Sequence, residues 1–203
     1  GRTLPPAAAP IDFRQFLSGV WAIFLGGAAQ ARFRSELAKH YAVRHCFLVS
    51  SGKAALTLTL RALKSLHPER DEVLIPAFTC YTVPSAVARA GLKIRLCDLA
   101  PDCLDLNIEQ LSRFVDGSSS SSKTLAVLPT HLFGYPADMS ALRQKVRDPC
   151  VTVIEDAAQA MGGASGKLKL GTLGDVSFFS LARGKAISTV EGGVILTDSD
   201  EIA

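Results

Sequence analysis

Seven short runs of almost continuously apolar residues recur along the chain, and this repeat limits the possible folds more than any other feature. The runs lie at residues 46–50, 72–76, 93–97, 124–129, 151–155, 176–181 and 193–197. Strands without polar–apolar alternation are typical of sheets that are covered on both faces. Helical patterns occupy several of the intervals, at 53–66, 82–90, 107–115 and 138–147. This alternation predicts βαβ units and a three-layer α/β/α sandwich with a seven-stranded, mostly parallel sheet.

The segment before the first run has a different character. Three prolines within residues 1–10 exclude regular helix and strand, so we expect an extended arm there. Two helices are predicted around 12–25 and 28–41. The apolar stretch 16–29 is too short to span a bilayer, so no membrane span is expected. It predicts a helix that contacts another subunit or a membrane surface.

Composition excludes several functional classes. Apolar residues make up 48% of the chain and charged residues 20%, which favours a packed globular core over disorder. The net charge is +3 and the basic residues are scattered, so no nucleic-acid partner is expected. Five cysteines without a C-x-x-C pair and four dispersed histidines predict neither a metal site nor a disulfide framework. Reduced thiols are typical of a cytoplasmic protein.

The turn at residues 50–56 is the first candidate binding site. Its sequence, SSGKAAL, follows an apolar run and begins a helical pattern. Free N–H groups at a helix N-terminus bind anions, and Gly52 would let a phosphate approach the backbone closely. An ordinary helix cap also explains this pattern, so both interpretations stay open. The chain contains neither a P-loop nor a G-x-G-x-x-G fingerprint.

A second candidate lies where the fifth apolar run ends in two acids, Glu155 and Asp156. Ligands of open α/β sheets bind beyond the carboxyl ends of the strands. An acid at this position can pair with a protonated ring nitrogen, and Gln159 follows one helical turn later. A solvated cap remains the alternative interpretation.

The third candidate is Lys185, which follows the sixth run and an Arg-Gly turn. A lysine held near strand ends can be desolvated and lose its proton, as Schiff-base chemistry requires. Ser180 stands five residues earlier, where its hydroxyl could reach a phosphate. An isolated lysine is usually solvated surface, so this candidate depends on the other two.

In this order the motifs resemble the DegT/DnrJ/EryC1/StrS family of fold-type-I sugar aminotransferases, which use pyridoxal 5'-phosphate (PLP). The matching stretches are LVSSGKAAL, EVLIPAFTC, HLFGYPADM, VIEDAAQAMG, GTLGDVSFFS and the segment from Gly184-Lys185 to Glu191-Gly192-Gly193. The resemblance extends from about residue 35 to the end. It implies the large domain of that fold, with an antiparallel last strand.

The resemblance also implies a role for each candidate that would contact the cofactor ring. Lys185 would carry PLP covalently and later move a proton. Asp156 would keep the ring nitrogen protonated, and Gln159 would face the ring or its phenolic oxygen. Cys80 falls at the position of the family's ring-stacking aromatic residue, which leaves the stacking partner open between Phe78 and Tyr81.

The phosphate would be held, by the same resemblance, by Ser180 and the backbone amides of Gly52, Lys53 and Ala54. Lys53 departs from the small hydroxyl residue that is usual in the family, so its contact is either through the backbone alone or includes its charge. Val190 also departs, since glycine is common before Glu-Gly-Gly.

The implied reaction is transamination, in which an amino-acid donor, by resemblance glutamate, supplies a nucleotide-linked keto-sugar. The family implies a homodimer and a C-terminal small domain, which is absent from this chain. We therefore expect an arm with helices at 1–36 and a PLP-binding domain at 37–203, possessing incomplete or no activity. The alternative is a non-catalytic regulatory or vestigial protein with the same fold. Family dehydratases replace the lysine with histidine, so Lys185 disfavours that reaction.

Overall fold

The computed structural model describes residues 12–24, 27–115 and 123–203. The predicted arm at 1–10 therefore lies outside the described residues. Six α-helices are described: α1 (Phe13–Phe24), α2 (Gly27–Tyr41), α3 (Gly52–Leu66), α4 (Thr82–Arg89), α5 (Ile108–Val115) and α6 (Met139–Lys145). A short 3-10 helix spans Leu132–Gly134.

Seven strands form the main sheet: β1 (His45–Val49), β2 (Glu72–Pro76), β3 (Lys93–Cys97), β4 (Thr124–Val127), β5 (Thr152–Asp156), β8 (Val176–Ser180) and β9 (Gly193–Thr197). Their order is β1-β9-β8-β5-β4-β2-β3. Strand β9 is antiparallel to both of its neighbours, and the other pairings in the sheet are parallel. The predicted seven-stranded, mostly parallel sheet is confirmed, with its antiparallel last strand.

Helices cover both faces of this sheet, because successive side chains of a strand point to opposite sides. On β2, Val73 and Ile75 pack with α3 and α4 in one cluster, whereas Leu74 packs with α5 and α6 in another. Helix α2 joins the second face through Leu37 and Tyr41, which contact the β8–β9 region. The three-layer α/β/α architecture is therefore confirmed.

Two features of the structure bear on the predicted organisation: a short hairpin before β8 was not predicted from the sequence, and helix α2 crosses the expected domain boundary. A two-stranded hairpin, β6 (Ala164–Ser165) and β7 (Leu168–Lys169), precedes β8. Its strands are two residues long, which is too short to produce a sequence pattern. The expected division between residues 36 and 37 falls inside α2, so that division remains a prediction about folding units.

Helix α1 exposes an apolar surface. Its exposed large side chains are Phe13, Phe16, Leu17, Val20 and Trp21. No helix in the described ranges combines the length and the apolar character that membrane crossing requires.

Candidate active site

The strand ends converge on one cavity. Because every strand of the main sheet except β9 runs in the same direction, the carboxyl ends of β1, β5 and β8 meet the beginning of β9. A cavity of about 490 Å³ opens at this edge. Seven of the residues predicted from the sequence line it: Gly52, Lys53, Cys80, Asp156, Gln159, Ser180 and Lys185. The structure thus brings together side chains that are up to 133 residues apart in the sequence.

The N-terminus of α3 forms one wall. Ser51 caps the helix with extended backbone, and its Oγ accepts a hydrogen bond of 3.0 Å from the N–H of Ala54. That N–H is therefore occupied, and Ala54 is not among the cavity-lining residues. The N–H groups of Gly52 and Lys53 lie in the first turn, where α-helical geometry provides no acceptor. They are the amides best placed for an anion, and a phosphate contact of Ala54 remains only a prediction.

Gly52 packs directly against the end of β8. A Cβ at this position would lie 2.9 Å from the Cβ of Ser180 and 3.4 Å from its Oγ. Only glycine allows α3 to approach β8 this closely without displacement. This close packing places the helix N-terminus and the Ser180 hydroxyl side by side, while their role as an anion site stays a prediction.

Asp156 is a buried acid that faces the cavity with few partners. It is 4% exposed, and its carboxylate accepts a hydrogen bond of 3.0 Å from the N–H of Ala158. Burial raises the pKa of Asp156 to about 6, although the Ala158 bond and the positive charge of Lys185 act in the opposite direction. A carboxyl group in this state is suited to bind a cationic N–H group of a ligand.

Lys185 lies in the loop between β8 and β9. Hydrogen bonds across the loop join Leu181 N to Gly192 O at 2.9 Å and Arg183 N to Val190 O at 3.1 Å. Lys185 is partly buried and lines the same cavity as Asp156. Its placement puts an amine and a buried acid in one cavity.

Val190 introduces backbone strain into this loop. Its φ angle is 74°, in the left-handed region that a β-branched residue rarely adopts. Sequence resemblance identified this position as one where glycine is common, and the backbone explains why glycine suits it. The strain is stored five residues from Lys185.

Gln159 is fixed by the segment on the other side of the cavity. Its Oε1 accepts a hydrogen bond of 2.7 Å from the N–H of Phe133, a residue with φ 55°. The side-chain oxygen is therefore occupied, and the amide N–H groups are the donors that Gln159 can direct toward a ligand.

The aromatic residues near Cys80 have different placements. Cys80 is exposed, and the hydroxyl of Thr82 donates to its Sγ at 3.1 Å. Tyr81 lines the cavity, whereas Phe78 is not among the lining residues. Between the two aromatic candidates that the sequence left open, Tyr81 is the one placed in the cavity wall.

Sequence reasoning missed Thr79, which also lines the cavity. Its Oγ1 is buried and has no hydrogen-bond partner within the described ranges. A buried, unpaired hydroxyl in a cavity wall is suited to a ligand contact. Thr79 follows β2 by three residues, so the strand-end rule that identified Asp156 could also have identified it.

No cluster of three potential metal ligands occurs among the residues that the structure describes.

The family of the chain follows from comparison with known proteins. The DegT/DnrJ/EryC1/StrS aminotransferase family model matches residues 11–203, and the chain belongs to this family. GDP-perosamine synthase of Vibrio cholerae is 33% identical over 171 residues, which cover 84% of this chain and 45% of that protein. L-glutamine:2-deoxy-scyllo-inosose aminotransferase of Streptomyces lividus is 32% identical over 204 residues, covering 98% of this chain and 46% of that protein.

A solved structure shares the fold. The E. coli GDP-4-keto-6-deoxy-D-mannose-3-dehydratase with bound hydrated PLP matches with a TM-score of 0.84 and 26% identity. The match covers 97% of this chain and 52% of that chain. The chain thus spans about half the length of the relatives that it matches.

Proposed function

We propose that this chain is the cofactor-binding part of a PLP-dependent aminotransferase. The observation that carries the proposal is the placement of Asp156 and Lys185 in one cavity, beside the α3 N-terminus. The residues present fit PLP: an incompletely paired buried acid, an amine, an anion-binding helix start and the unpaired hydroxyl of Thr79. The bound hydrated PLP of the related E. coli enzyme supports this assignment.

Each residue has a distinct task in this proposal. Bound PLP supplies an electron sink that makes the α-proton of an amino acid removable. Lys185 would hold the cofactor covalently through Nζ, and its amine would later move the α-proton of the amino acid. Asp156 keeps a proton on the ring nitrogen, while Ser180 and the N–H groups of Gly52 and Lys53 bind the phosphate.

The substrates we propose are an amino-acid donor, most simply glutamate, and a keto-sugar linked to a nucleotide. The name of the Vibrio cholerae relative, GDP-perosamine synthase, supports the nucleotide-linked sugar. Lys185 supports amino transfer over dehydration, because the family's dehydratases have histidine at this position. Since the chain spans about half the length of its relatives, we expect slow or no turnover from these 203 residues alone.

We further propose a homodimer in which the apolar face of α1 contacts the second copy. Phe13 and Trp21 are 73% and 67% exposed, and exposed apolar patches usually mark contact surfaces. Light scattering should give the mass of a dimer, and Trp21→Glu should lower it to that of a monomer. Leu168→Glu, at an exposed apolar position on β7, is the matched control and should leave the mass unchanged. A monomeric wild type would refute this proposal.

All five cysteines are free, which supports our proposal of a cytoplasmic location.

Spectroscopic titration with PLP tests the cofactor assignment. The wild type should develop a visible absorption band at saturation, and Lys185→Ala should lose the covalent component. Lys167→Ala, a substitution on the β6–β7 hairpin away from the cavity, is the matched control and should behave as the wild type. Absence of any PLP-induced band in the wild type would contradict the proposed function. Mixing the PLP form with excess glutamate then shows whether the amino group is transferred in a single turnover.

A further inference from the structure

A histidine and a glutamate are buried beside Asp156 without lining the cavity. His131 and Glu155 are both 0% exposed, and Nε2 of His131 lies 2.7 Å from Oε1 of Glu155. Neither is among the cavity-lining residues. Transamination as described above assigns no task to them. Burying an acid and a base together is costly unless their polar atoms are satisfied, so the contacts of the pair are informative.

The hydrogen bonds of His131 define its proton. The N–H of Ala137 donates to Nδ1 at 3.0 Å, so Nδ1 is an acceptor and carries no proton. Nε2 therefore carries the proton and donates it to Glu155. The His131 ring therefore links the main chain at Ala137 to the carboxylate of Glu155.

Glu155 also accepts hydrogen bonds from the backbone. Besides His131, its carboxylate accepts hydrogen bonds from the backbone N–H groups of Gly171, Leu173 (2.7 Å) and Gly174 (2.8 Å). Burial acts to raise the pKa of Glu155, but the bonds from His131 and the backbone outweigh it and leave the pKa below its ordinary value. Glu155 is therefore ionised and ties the 171–174 loop to the end of β5.

The main chain of the same histidine is bound to Asp156. The N–H of His131 donates to the carbonyl of Asp156 at 3.0 Å, and the N–H of Asp156 donates to the carbonyl of Pro129 at 2.9 Å. Two residues after His131, the N–H of Phe133 donates to Oε1 of Gln159. One short segment thus contacts both Asp156 and Gln159.

We propose that the His131–Glu155 pair is a positioning device that directs Asp156 and Gln159 toward the cofactor. The ring of His131 holds its segment against Glu155, and the backbone of that segment then holds Asp156 and the side chain of Gln159. The 171–174 loop supports the pair from the other side of β5. This inference rests on the proposed PLP site.

A comparison of buried-pair variants tests the inference. His131→Leu removes the ring contacts, while His131→Gln retains an N–H donor at the reach of Nε2. The matched control is Asp148→Asn, which weakens the buried Arg70–Asp148 ion pair (2.8 Å), whose residues do not line the cavity. The readouts are the melting temperature, the dissociation constant of PLP and the visible circular dichroism of PLP at saturation, which reports how firmly the ring is oriented.

We expect His131→Leu to weaken PLP binding by about tenfold, the effect of roughly one charge-assisted hydrogen bond. It should also lose the visible circular dichroism band. His131→Gln should keep the band. Asp148→Asn should lower the melting temperature while leaving both PLP readouts as in the wild type. If His131→Leu does not fold, His131→Asn replaces it, since asparagine can still accept from Ala137 but cannot reach Glu155.

The outcomes separate the inference from the function on which it rests. A folded His131→Leu protein, or His131→Asn protein in its place, with unchanged PLP affinity and an unchanged band overturns the positioning role while leaving the PLP site intact. An effect of equal size in Asp148→Asn also overturns it, because the losses would then follow stability alone. A wild type that does not bind PLP removes the proposed function and this inference with it.

Discussion

Two neighbouring acids at the end of β5 lie in opposite environments, one on each face of the sheet. Glu155 and Asp156 are both buried, but they point to opposite faces of the sheet. The side chain of Glu155 accepts four hydrogen bonds and has a lowered pKa. That of Asp156 accepts one from Ala158, and its pKa is raised to about 6. Two residues of similar chemistry therefore have different surroundings: Glu155 is held by the fold, and Asp156 lines the cavity.

The difference has a thermodynamic consequence. An acid whose pKa is lowered by folding stabilises the native state when it is ionised, whereas an acid whose pKa is raised destabilises it. Glu155 therefore contributes stability, and Asp156 lowers it in the cofactor-free chain. A candidate site that is unfavourable for folding is expected where function, rather than stability, determines the residue.

Of the three predicted substitutions, removal of the Glu155 side chain should change the free energy of unfolding most. Glu155→Ala leaves four buried donors without their acceptor, so the free energy of unfolding should fall by about 3–5 kcal/mol at pH 7. The lowered pKa means that this contribution is present above the ordinary pKa of 4.5 and is lost as the pH falls below it. Urea denaturation at pH 7 and pH 4 measures both values. A loss under 1 kcal/mol at pH 7 would contradict the structural role.

Replacing Asp156 should raise the free energy of unfolding, whereas replacing Glu155 lowers it. Asp156→Asn retains an oxygen for the Ala158 N–H but removes the buried charge. The cofactor-free protein should gain up to about 3 kcal/mol above pH 6, at 1.36 kcal/mol for each pKa unit. Because a raised folded-state pKa penalises only the ionised form, the gain should shrink as the pH falls from 6 and vanish near 4. Denaturation curves at pH 7.5 and pH 4 check this, and a destabilised Asp156→Asn at pH 7.5 would show that the buried charge of Asp156 does not lower stability.

The smallest predicted effect concerns the loop that carries Lys185. Val190→Gly should stabilise the chain by about 1 kcal/mol, because relief of left-handed strain exceeds the added entropy of an unfolded glycine. Val190→Ala, which keeps a Cβ, is the control and should gain less. Thermal denaturation measures both. Equal or lower stability of Val190→Gly would show that the φ angle of 74° is not a source of strain.

Short-range sequence patterns were sufficient to predict most of the fold. Strands β2, β3 and β9 begin and end at the predicted residues, since a continuous apolar run bounded by polar residues is a local signal. The position of Asp156 at the end of a buried strand was equally local. Once parallel order was predicted, the meeting of strand ends at one edge followed from geometry.

Contacts that depend on sheet order could not be predicted in the same way. His131 and Glu155 are 24 residues apart, and their pairing exists only because β4 lies beside β5. The use of the Ala54 N–H in capping likewise depends on the conformation of Ser51, which permits both a cap and an anion site. The sequence left open whether this turn is a helix cap or an anion site. In the structure the N–H of Ala54 serves the cap, while the N–H groups of Gly52 and Lys53 remain available.

Lys185 is the residue that we propose to hold the cofactor, and chemical labelling is the sharpest test of this role. The protein is incubated with PLP, reduced with borohydride, digested and mapped by mass spectrometry. We predict one stoichiometric label on Lys185, with Lys185→Ala unlabelled at every other lysine under the same conditions. A label on Lys167 or Lys169 in place of Lys185, or no label after saturation with PLP, would contradict the proposed role of Lys185.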